Sequence, residues 1–272
     1  MTGSSRGAAV ELRGVSKRFR TSGGALPWRR SRSEKVALHS TDLCVEYGSV
    51  TGIIGMNGSG KSTLVRILAT LMLPDTGWAR VFGHDVVNEA AAVRRHVNRV
   101  SVEASFFKSL SPWENLLYSA RLYGSDDDIR SRSSAVLRRL GLPESTFDKP
   151  MRQLSRGQQQ KVAIARSLLT APSLLLMDEP TTGLDPRSKR EVQGFIRAMR
   201  REREVTVLLC THDLAEAEVL CDRVVVLDGG RVLADATPEG LRTAARTATL
   251  EDAFLQIVGR SIDDDVDTPE ES

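Results

Sequence analysis

The sequence predicts an α/β protein with a mainly parallel sheet, an N-terminal antiparallel β part and an inserted helical subdomain. Three observations lead to this prediction: short apolar runs recur along the chain, a glycine-rich turn joins one run to a helix, and a long helical stretch separates other runs. Buried parallel strands are nearly continuous apolar runs, whereas a helix spaces its apolar residues three or four positions apart. We therefore expect a strand-rich core and a helical insertion.

The N-terminal third alternates between strand and turn patterns. Residues 9–19 alternate as an edge strand does, and residues 36–46 indicate a second strand beside it. Residues 21–35 are rich in Gly, Ser and Arg, which is typical of a surface loop. A β-branched run at residues 50–54, a glycine-rich turn and leucines at helical spacing predict strand, loop and helix, and residues 78–82 indicate a further strand.

The middle of the chain is helical in pattern, and strand patterns return after it. Residues 89–170 show helical spacing, with an N-cap-like start at Ser111. Apolar runs at residues 174–177 and 205–210 predict buried parallel strands, and the run at 224–227 predicts a closing hairpin. The predicted units are a core at residues 9–88 and 171–235, a helical subdomain at 89–170, a C-terminal helical extension at 236–260 and an acidic disordered tail at 261–272.

The length and composition fit one domain, or two closely joined domains, with an ordinary packed core. Of the 272 residues, 40% are hydrophobic and 27% are charged. The net charge of +3 gives no broad basic surface, so we expect no nucleic acid partner. No stretch approaches the roughly 18 to 20 apolar residues that span a bilayer, and the N-terminus lacks an apolar signal core. We expect the chain to stay in the cytosol unless another protein holds it at a membrane.

The three cysteines carry no recognisable chemistry. Cys44, Cys210 and Cys221 fit neither a disulfide framework nor the spacing of a zinc site. A cysteine without such a role packs as a small apolar residue. We therefore expect three buried thiols.

A phosphate-binding loop lies where the first core strand meets a helix. Residues 55–62, GMNGSGKS, match the pattern G-x-x-x-x-G-K-[ST]. Such glycines let backbone N–H groups and the helix N-terminus surround phosphate oxygens, while Lys61 would reach the β- and γ-phosphates of ATP and Ser62 would bind Mg²⁺. The alternative is an ordinary glycine-rich turn with a surface lysine. The strand-to-helix context favours a P-loop NTPase core.

Two carboxylates follow the apolar run at residues 174–177. Because open parallel sheets bind ligands at the carboxyl ends of their strands, Asp178 and Glu179 would lie at that edge. Asp178 would hold Mg²⁺ through its water shell, and Glu179 could polarise the attacking water. Alone, such a run is more typical of a strand that enters a solvated turn. Beside a phosphate loop, the catalytic interpretation is favoured.

A third segment makes the pattern specific. Residues 154–160, LSRGQQQ, predict a helix start with Ser155 as N-cap and Gln158 at N3, and such an N-terminus suits the γ-phosphate of ATP. With residues 178–185, DEPTTGLD, and 211–213, THD, the chain resembles ABC-type (ATP-binding cassette) transporter ATPases over about residues 9–235. These segments correspond to the signature, the Walker B motif with the D-loop, and the switch histidine. That family usually has a second glycine where this chain has Arg156.

The resemblance implies roles for further residues. His212 would contact the γ-phosphate, although a histidine there is otherwise more often a surface or cap residue. Phe19 would stack on adenine, and without the resemblance it is equally explained by packing. The residues implied at ATP are Phe19, Gly55, Asn57, Gly58, Ser59, Gly60, Lys61, Ser62, Thr63, Ser155, Gly157, Gln158 and Asp185. Those implied in catalysis are Lys61, Glu179 and His212, and those implied at Mg²⁺ are Ser62, Glu103 and Asp178.

One departure concerns a glutamine that the family usually places at Mg²⁺. Residues 62–152 contain none, and Glu103 is the candidate substitute, since a carboxylate can also bind Mg²⁺. Residues 106–116, FFKSLSPWENL, resemble the segment that lines the groove for a transmembrane partner. Their amino-acid sequence is most similar to that of cassettes of the ABC-2 export type. The aromatic residues of this segment are equally explained as core of the helical subdomain.

The resemblance implies an ATPase subunit peripheral to the cytoplasmic face of the cell membrane. Two cassettes would pair head to tail, with each ATP between the Lys61 loop of one chain and Ser155 and Gly157 of the other, and identical chains would suffice. Closure of the dimer would drive separate transmembrane permease subunits. Residues 249–255, TLEDAFL, resemble the end of drug- and antibiotic-efflux cassettes, which favours export of a drug, antibiotic, lipid or glycan.

The alternative is an ABC ATPase that acts on nucleic acid or ribosomes without a membrane. Chromosome-associated members insert long coiled coils before the signature, and translation-associated members carry two cassettes. This chain has one cassette, no heptad run and no basic stripe, which argues against both. A non-enzymatic module is also disfavoured, because Lys61, Asp178, Glu179 and His212 are all present.

Overall fold

The computed structural model describes residues 7–23, 31–101, 105–122, 129–202 and 205–266. The strands are β1 (Ala8–Gly23), β2 (Ser31–Glu46), β3 (Val50–Ile54), β4 (Thr76–Val81), β5 (His84–Asp85), β6 (Val97–Val100), β7 (Leu174–Asp178), β8 (Thr206–Thr211), β9 (Arg223–Asp228) and β10 (Arg231–Ala236). The α-helices are α1 (Lys61–Leu68), α2 (Ala90–His96), α3 (Pro112–Leu122), α4 (Ile129–Arg139), α5 (Arg156–Leu168), α6 (Pro186–Glu202), α7 (Leu214–Leu220), α8 (Pro238–Ala245) and α9 (Leu250–Val266). Short 3-10 turns lie at Glu144–Thr146 and Met151–Gln153.

An antiparallel sheet forms the N-terminal part of the described chain, with strand order β2-β1-β4-β5. β1 pairs with β2 along its whole length, from Ala8 opposite Glu46 to Gly23 opposite Ser31. The surface loop predicted at residues 21–35 is therefore too long, because both strands extend into it. Backbone pairing needs no apolar side chains, so a Gly- and Ser-rich sequence gave no sign of this extension.

A mainly parallel sheet forms the centre of the described residues, with strand order β10-β9-β3-β8-β7-β6. β3 lies between β8 and β9 and is parallel to both, and only the β9–β10 pair is antiparallel among these pairings. Every residue of β3, β7 and β8 is buried, which is typical of parallel strands covered on both faces. This arrangement confirms the predicted fold class.

Alternate residues of each central strand enter different apolar clusters. Ile53 packs with Leu64 and Leu68 of α1 and with the antiparallel sheet, whereas its neighbour Ile54 packs with the helical subdomain and α6. This alternation follows from the two-residue repeat of a strand. The parallel sheet therefore separates the two apolar clusters and contributes side chains to both. Packing on both faces fixes the edge at which its strands end.

The predicted start of the helical subdomain at residue 89 is wrong. β6 pairs in parallel with β7, Val97 opposite Leu174 and Val100 opposite Met177, so these residues belong to the core sheet. A four-residue strand with two polar residues at its centre is too short to give a strand pattern. The helical insertion therefore begins after β6 and includes α3, α4 and the start of α5.

The C-terminal helix is longer than predicted. α9 continues to Val266, beyond the predicted start of a disordered tail at residue 261, and residues 267–272 lie outside the described ranges. The first turns of α9 are anchored by the buried residues Leu250, Ala253 and Phe254. Once a helix has formed, adding a further residue at its end costs little free energy. No helix in the described part of the chain combines the length and apolar character needed to cross a bilayer.

The expectation of three buried thiols is correct for two of them. Cys210 and Cys221 are buried, whereas Cys44 on β2 is exposed. β2 lies at the edge of the antiparallel sheet, where alternate side chains point to solvent. The side chain of Cys44 falls on that outer face.

Candidate active site

The phosphate loop joins β3 to α1, and Lys61 is the first residue of the helix. Its ammonium group donates hydrogen bonds to the carbonyl oxygens of Gly55 at 2.7 Å and Met56 at 2.9 Å. Burial lowers the pKa of Lys61, while the neighbouring Cys210, Glu179 and Asp178 act in the opposite direction. The loop thus wraps around a lysine that is only 5% exposed.

Two glycines of this loop are required by close approach of the backbone. A Cβ atom on Gly55 would lie 2.0 Å from the carbonyl oxygen of Leu227, and one on Gly60 would lie 2.5 Å from that of Ala37. Gly60 also has a φ of 109°, which favours glycine. The two ends of the loop, at Gly55 and Gly60, are therefore packed against the core, whereas residues 56–58 between them are exposed.

Asp178 ends β7 beside the start of α1. The Ser62 hydroxyl donates a hydrogen bond to Asp178 Oδ1 at 3.4 Å. Burial raises the pKa of the Asp178 carboxyl, and the Ser62 hydrogen bond and the charges of Arg99 and Lys61 offset part of this rise. The hydroxyl of the exposed Ser62 and an oxygen of the buried Asp178 therefore meet at a partly buried position, where an added cation would stabilise the ionised form of Asp178.

Glu179 adopts an unusual backbone conformation at the edge of the sheet. Its φ of 51° is uncommon for a residue other than glycine, and its N–H donates to the Cys210 carbonyl oxygen at 2.8 Å. His212 Nδ1 lies 3.0 Å from Oε1 of Glu179, and the Thr182 hydroxyl donates to Oε2 at 3.0 Å. Strained backbone that is held by its surroundings clusters at functional sites. Both oxygens of this carboxylate are thus fixed by neighbours.

These groups surround a cavity of about 240 Å³. It brings together predicted residues of the phosphate loop, the strand edge and β1, so Phe19 and Glu179 line the same space. Lys35 and Ala37 of β2 also line it, although the sequence pattern placed Lys35 in a solvated loop. Lys35 pairs with Phe19 across β1 and β2, and only the register of these two antiparallel strands reveals its position. The lining residues are Phe19, Lys35, Ala37, Asn57, Gly58, Gly60, Lys61, Ser62, Thr63 and Glu179.

The signature segment starts α5 away from the lining of this cavity. Ser155 is the N-cap, and a reciprocal pair of hydrogen bonds with Gln158 forms the predicted capping box. A Cβ atom on Gly157 would lie 2.3 Å from Ser188 Oγ and 3.3 Å from Asp185 Oδ2, so the signature packs on the D-loop of the same chain. The backbone and side chain of Ser188 lower the pKa of Asp185 by hydrogen bonding.

Comparison with known proteins agrees with this geometry. The profile of a family described as ABC transporter matches residues 38–182. The chain belongs to this family. It is 44% identical over 209 residues to the daunorubicin/doxorubicin resistance ATP-binding protein DrrA of Streptomyces peucetius, covering 76% of this chain and 63% of that protein. It is 35% identical over 255 residues to the methionine import ATP-binding protein MetN of Nocardia farcinica, covering 92% and 73% respectively.

A solved structure of a cassette is also similar over nearly its whole length. The dimeric post-hydrolysis state of the ATP-binding cassette MJ0796 bound to ADP and Pi has a TM-score of 0.73 and 27% identity, covering 84% of this chain and 98% of that chain. The resemblance inferred from the motifs is thereby confirmed. The cassette spans 63% of the length of the DrrA protein.

A larger cavity of about 580 Å³ lies between the core and the helical subdomain of the cassette. Phe106 and Phe107 line it, and Phe107 is 52% exposed, so this aromatic residue is not core. Trp113 instead packs against the apolar cluster of the helical subdomain, with the Arg130 guanidinium 5.2 Å from its ring centre. The predicted Mg²⁺ ligand Glu103 lies outside the described residues.

Proposed function

We propose that the chain is the MgATP-hydrolysing subunit of an ABC exporter that acts with separate transmembrane subunits. The observation that carries the proposal is the Glu179 carboxylate, held by His212 and Thr182 on the wall of the cavity that Lys61 and the phosphate loop form. A carboxylate held in one orientation beside a triphosphate site is suited to accept a proton from the attacking water.

Several side chains in and beside the cavity have roles in this reaction. The Lys61 ammonium and the loop N–H groups bind the phosphates, and Phe19 stacks on the adenine. Glu179 orients the water and takes its proton. His212 fixes the Glu179 carboxylate through Nδ1, and we assign its second ring nitrogen to the terminal phosphate. Lys35 adds positive charge to the same cavity.

The residues at the phosphate loop fit Mg²⁺. Mg²⁺ takes oxygen ligands and is usually held by one or two protein groups together with substrate phosphates. Ser62 and the buried Asp178 supply such oxygens side by side, and among the described residues no group of three or more His, Cys, Asp or Glu forms a complete protein cage. Bound there, Mg²⁺ would neutralise part of the negative charge of the phosphates. A contribution of Glu103 stays a prediction.

A second copy of the chain completes the site. Ser155 is exposed, and the residues that line the phosphate cavity include none from the signature. The start of α5 presents N–H groups and a hydroxyl, which favour an anionic group. Head-to-tail pairing places the signature of one chain at the γ-phosphate on the other, so that two identical chains form two sites.

The larger cavity is the docking site for the transmembrane subunits. Its exposed apolar residues include Leu71, Phe107 and Leu122, at 65%, 52% and 67% exposure, and an exposed apolar patch of this kind marks an interaction surface. The DrrA name supports export, whereas the MetN name belongs to an importer, and residues 249–255 favour export. The subunit then works peripherally at the cytoplasmic face of the membrane.

The docking proposal is tested with two matched leucine variants. Leu122→Asp places a charge in the large cavity, and Leu255→Asp places one on α9, where the leucine is similarly exposed at 61%. The membrane protein that co-purifies with wild type from native membranes is first identified. We expect Leu122→Asp to lose that partner and Leu255→Asp to retain it, with ATP binding unchanged in both. Equal retention of the partner by both variants would contradict the assignment of the larger cavity as the docking site.

A further inference from the structure

A buried carboxyl group lies behind the catalytic edge of the sheet. Glu216, in the first turn of α7, is 1% exposed. Its Oε1 accepts hydrogen bonds from the Thr181 hydroxyl at 2.7 Å and the Gln193 amide at 3.3 Å. Its Oε2 accepts one from the Thr211 hydroxyl at 3.0 Å. One side chain therefore links α7 to three other elements, namely the loop after β7, helix α6 and the end of β8.

Two of the three partners of Glu216 lie next to the catalytic pair in the sequence. Thr181 is two residues after Glu179, and Thr211 directly precedes His212. Both threonines are almost fully buried, at 6% and 1% exposure, so their hydrogen bonds to Glu216 lie in the protein interior, where the low dielectric strengthens them. Glu216 thus holds the loop after β7 and the end of β8 at one distance from each other.

The geometry of Glu179 makes such support necessary. Its positive φ is an unfavourable conformation, and its contact with His212 spans two different loops at 3.0 Å. A shift of either loop would lengthen that contact. Misplacement of a catalytic group by about 1 Å can lower a rate by roughly 10²-fold.

We propose that Glu216 is a positioning residue for ATP hydrolysis, which sets the Glu179–His212 contact through Thr181 and Thr211. The proposal rests on the proposed catalytic role of Glu179. The carboxyl oxygens of Glu216 bond to Thr181, Gln193 and Thr211 rather than to the two catalytic side chains, so Glu216 acts through the two loops. Its removal should affect the chemical step rather than nucleotide binding.

The isosteric variant Glu216→Gln tests this role. Its two threonine partners donate to different oxygens, so one hydroxyl must rotate and accept from the new NH₂ group instead of donating, which changes the geometry on one side of the link. We expect kcat to fall about tenfold or more, with KM for ATP within about twofold. Thr211→Val removes one of the two hydroxyl groups without touching Glu216 and should lower kcat in the same way.

A matched control lies at the other end of the same strand. Thr206 of β8 is 2% exposed and its hydroxyl accepts a hydrogen bond from the Gly48 N–H at 3.0 Å. Thr206→Val removes an equally buried hydroxyl, and its thermal midpoint serves as the reference for a purely structural loss. We expect Thr206→Val to keep wild-type kcat at temperatures where the protein is folded.

The double variant separates positioning from general destabilisation. If Glu216 acts through Glu179, adding Glu216→Gln to Glu179→Gln should change the residual single-turnover rate by less than about twofold. Equal rate losses in both backgrounds, or kcat within twofold of wild type for both Glu216→Gln and Thr211→Val, would overturn the proposal. Wild-type turnover in Glu179→Gln alone would instead contradict the catalytic role of Glu179.

Discussion

Two lysines line the phosphate cavity in different environments, and their loss should therefore have different effects. Lys61 is 5% exposed and its ammonium is held by two carbonyl oxygens at 2.7 and 2.9 Å, whereas Lys35 is exposed. A charge-assisted hydrogen bond from a buried group contributes about 1.5 to 3 kcal/mol. Lys61→Met should therefore weaken binding of a non-hydrolysable MgATP analogue by about 10- to 150-fold, at about 1.4 kcal/mol for each factor of ten.

Lys35→Met is the matched control for this prediction. An exposed charge pair contributes roughly 0.2 to 1 kcal/mol, so the loss should be below about fivefold and should shrink further with added salt. Calorimetric titration of wild type and both variants at two ionic strengths measures these differences. Equal losses for the two lysines, or affinity within threefold of wild type for Lys61→Met, would refute the reasoning from burial.

Three further predictions test other parts of the account. Gly157→Ala should lower steady-state turnover more than tenfold, because the new Cβ atom would lie 2.3 Å from Ser188 Oγ and displace the signature. Nucleotide affinity should be unchanged, because Gly157 does not line the phosphate cavity. Hydrogen bonds from Lys17 and the Arg18 N–H lower the pKa of Asp75, so this carboxylate adds stability above its unfolded pKa and loses it as the pH falls through its folded pKa. Asp75→Asn should therefore lower the thermal midpoint at pH 7, and the difference from wild type should shrink once the pH falls below the ordinary Asp value of about 3.9 and disappear below the lowered folded pKa of Asp75. A thiol reagent should modify Cys44 first in native protein, and the two buried thiols, whose pKa values burial raises, only on unfolding.

The local motifs of the site were predictable from the sequence because each depends on adjacent residues. The phosphate loop, the capping box at Ser155 and the strand that ends in Asp178 are each contained within eight residues. Local hydrogen bonds and strand periodicity suffice to place them. The register of β3, β7 and β8 then brings their carboxyl ends to one edge, as expected of a parallel sheet.

Other features depend on partners that are distant in sequence. Lys35 reaches the cavity only through its pairing with Phe19, and β6 exists only because β7 provides its hydrogen-bonding edge. The bonds of Glu216 to Thr181 and Gln193 join residues that are 35 and 23 positions apart. No periodicity or short motif encodes such contacts. They follow from tertiary packing, which overrides local preference.

The central claim, hydrolysis of ATP between two copies of the chain, is tested most directly by the mass of Glu179→Gln in solution. This variant keeps the phosphate loop and the signature but lacks the base, so hydrolysis should slow by about 10² to 10⁴ and the closed state should persist. Light scattering with MgATP should then give twice the chain mass of 29.8 kDa, and with MgADP the single-chain mass. A single-chain mass at saturating, bound MgATP would contradict the account.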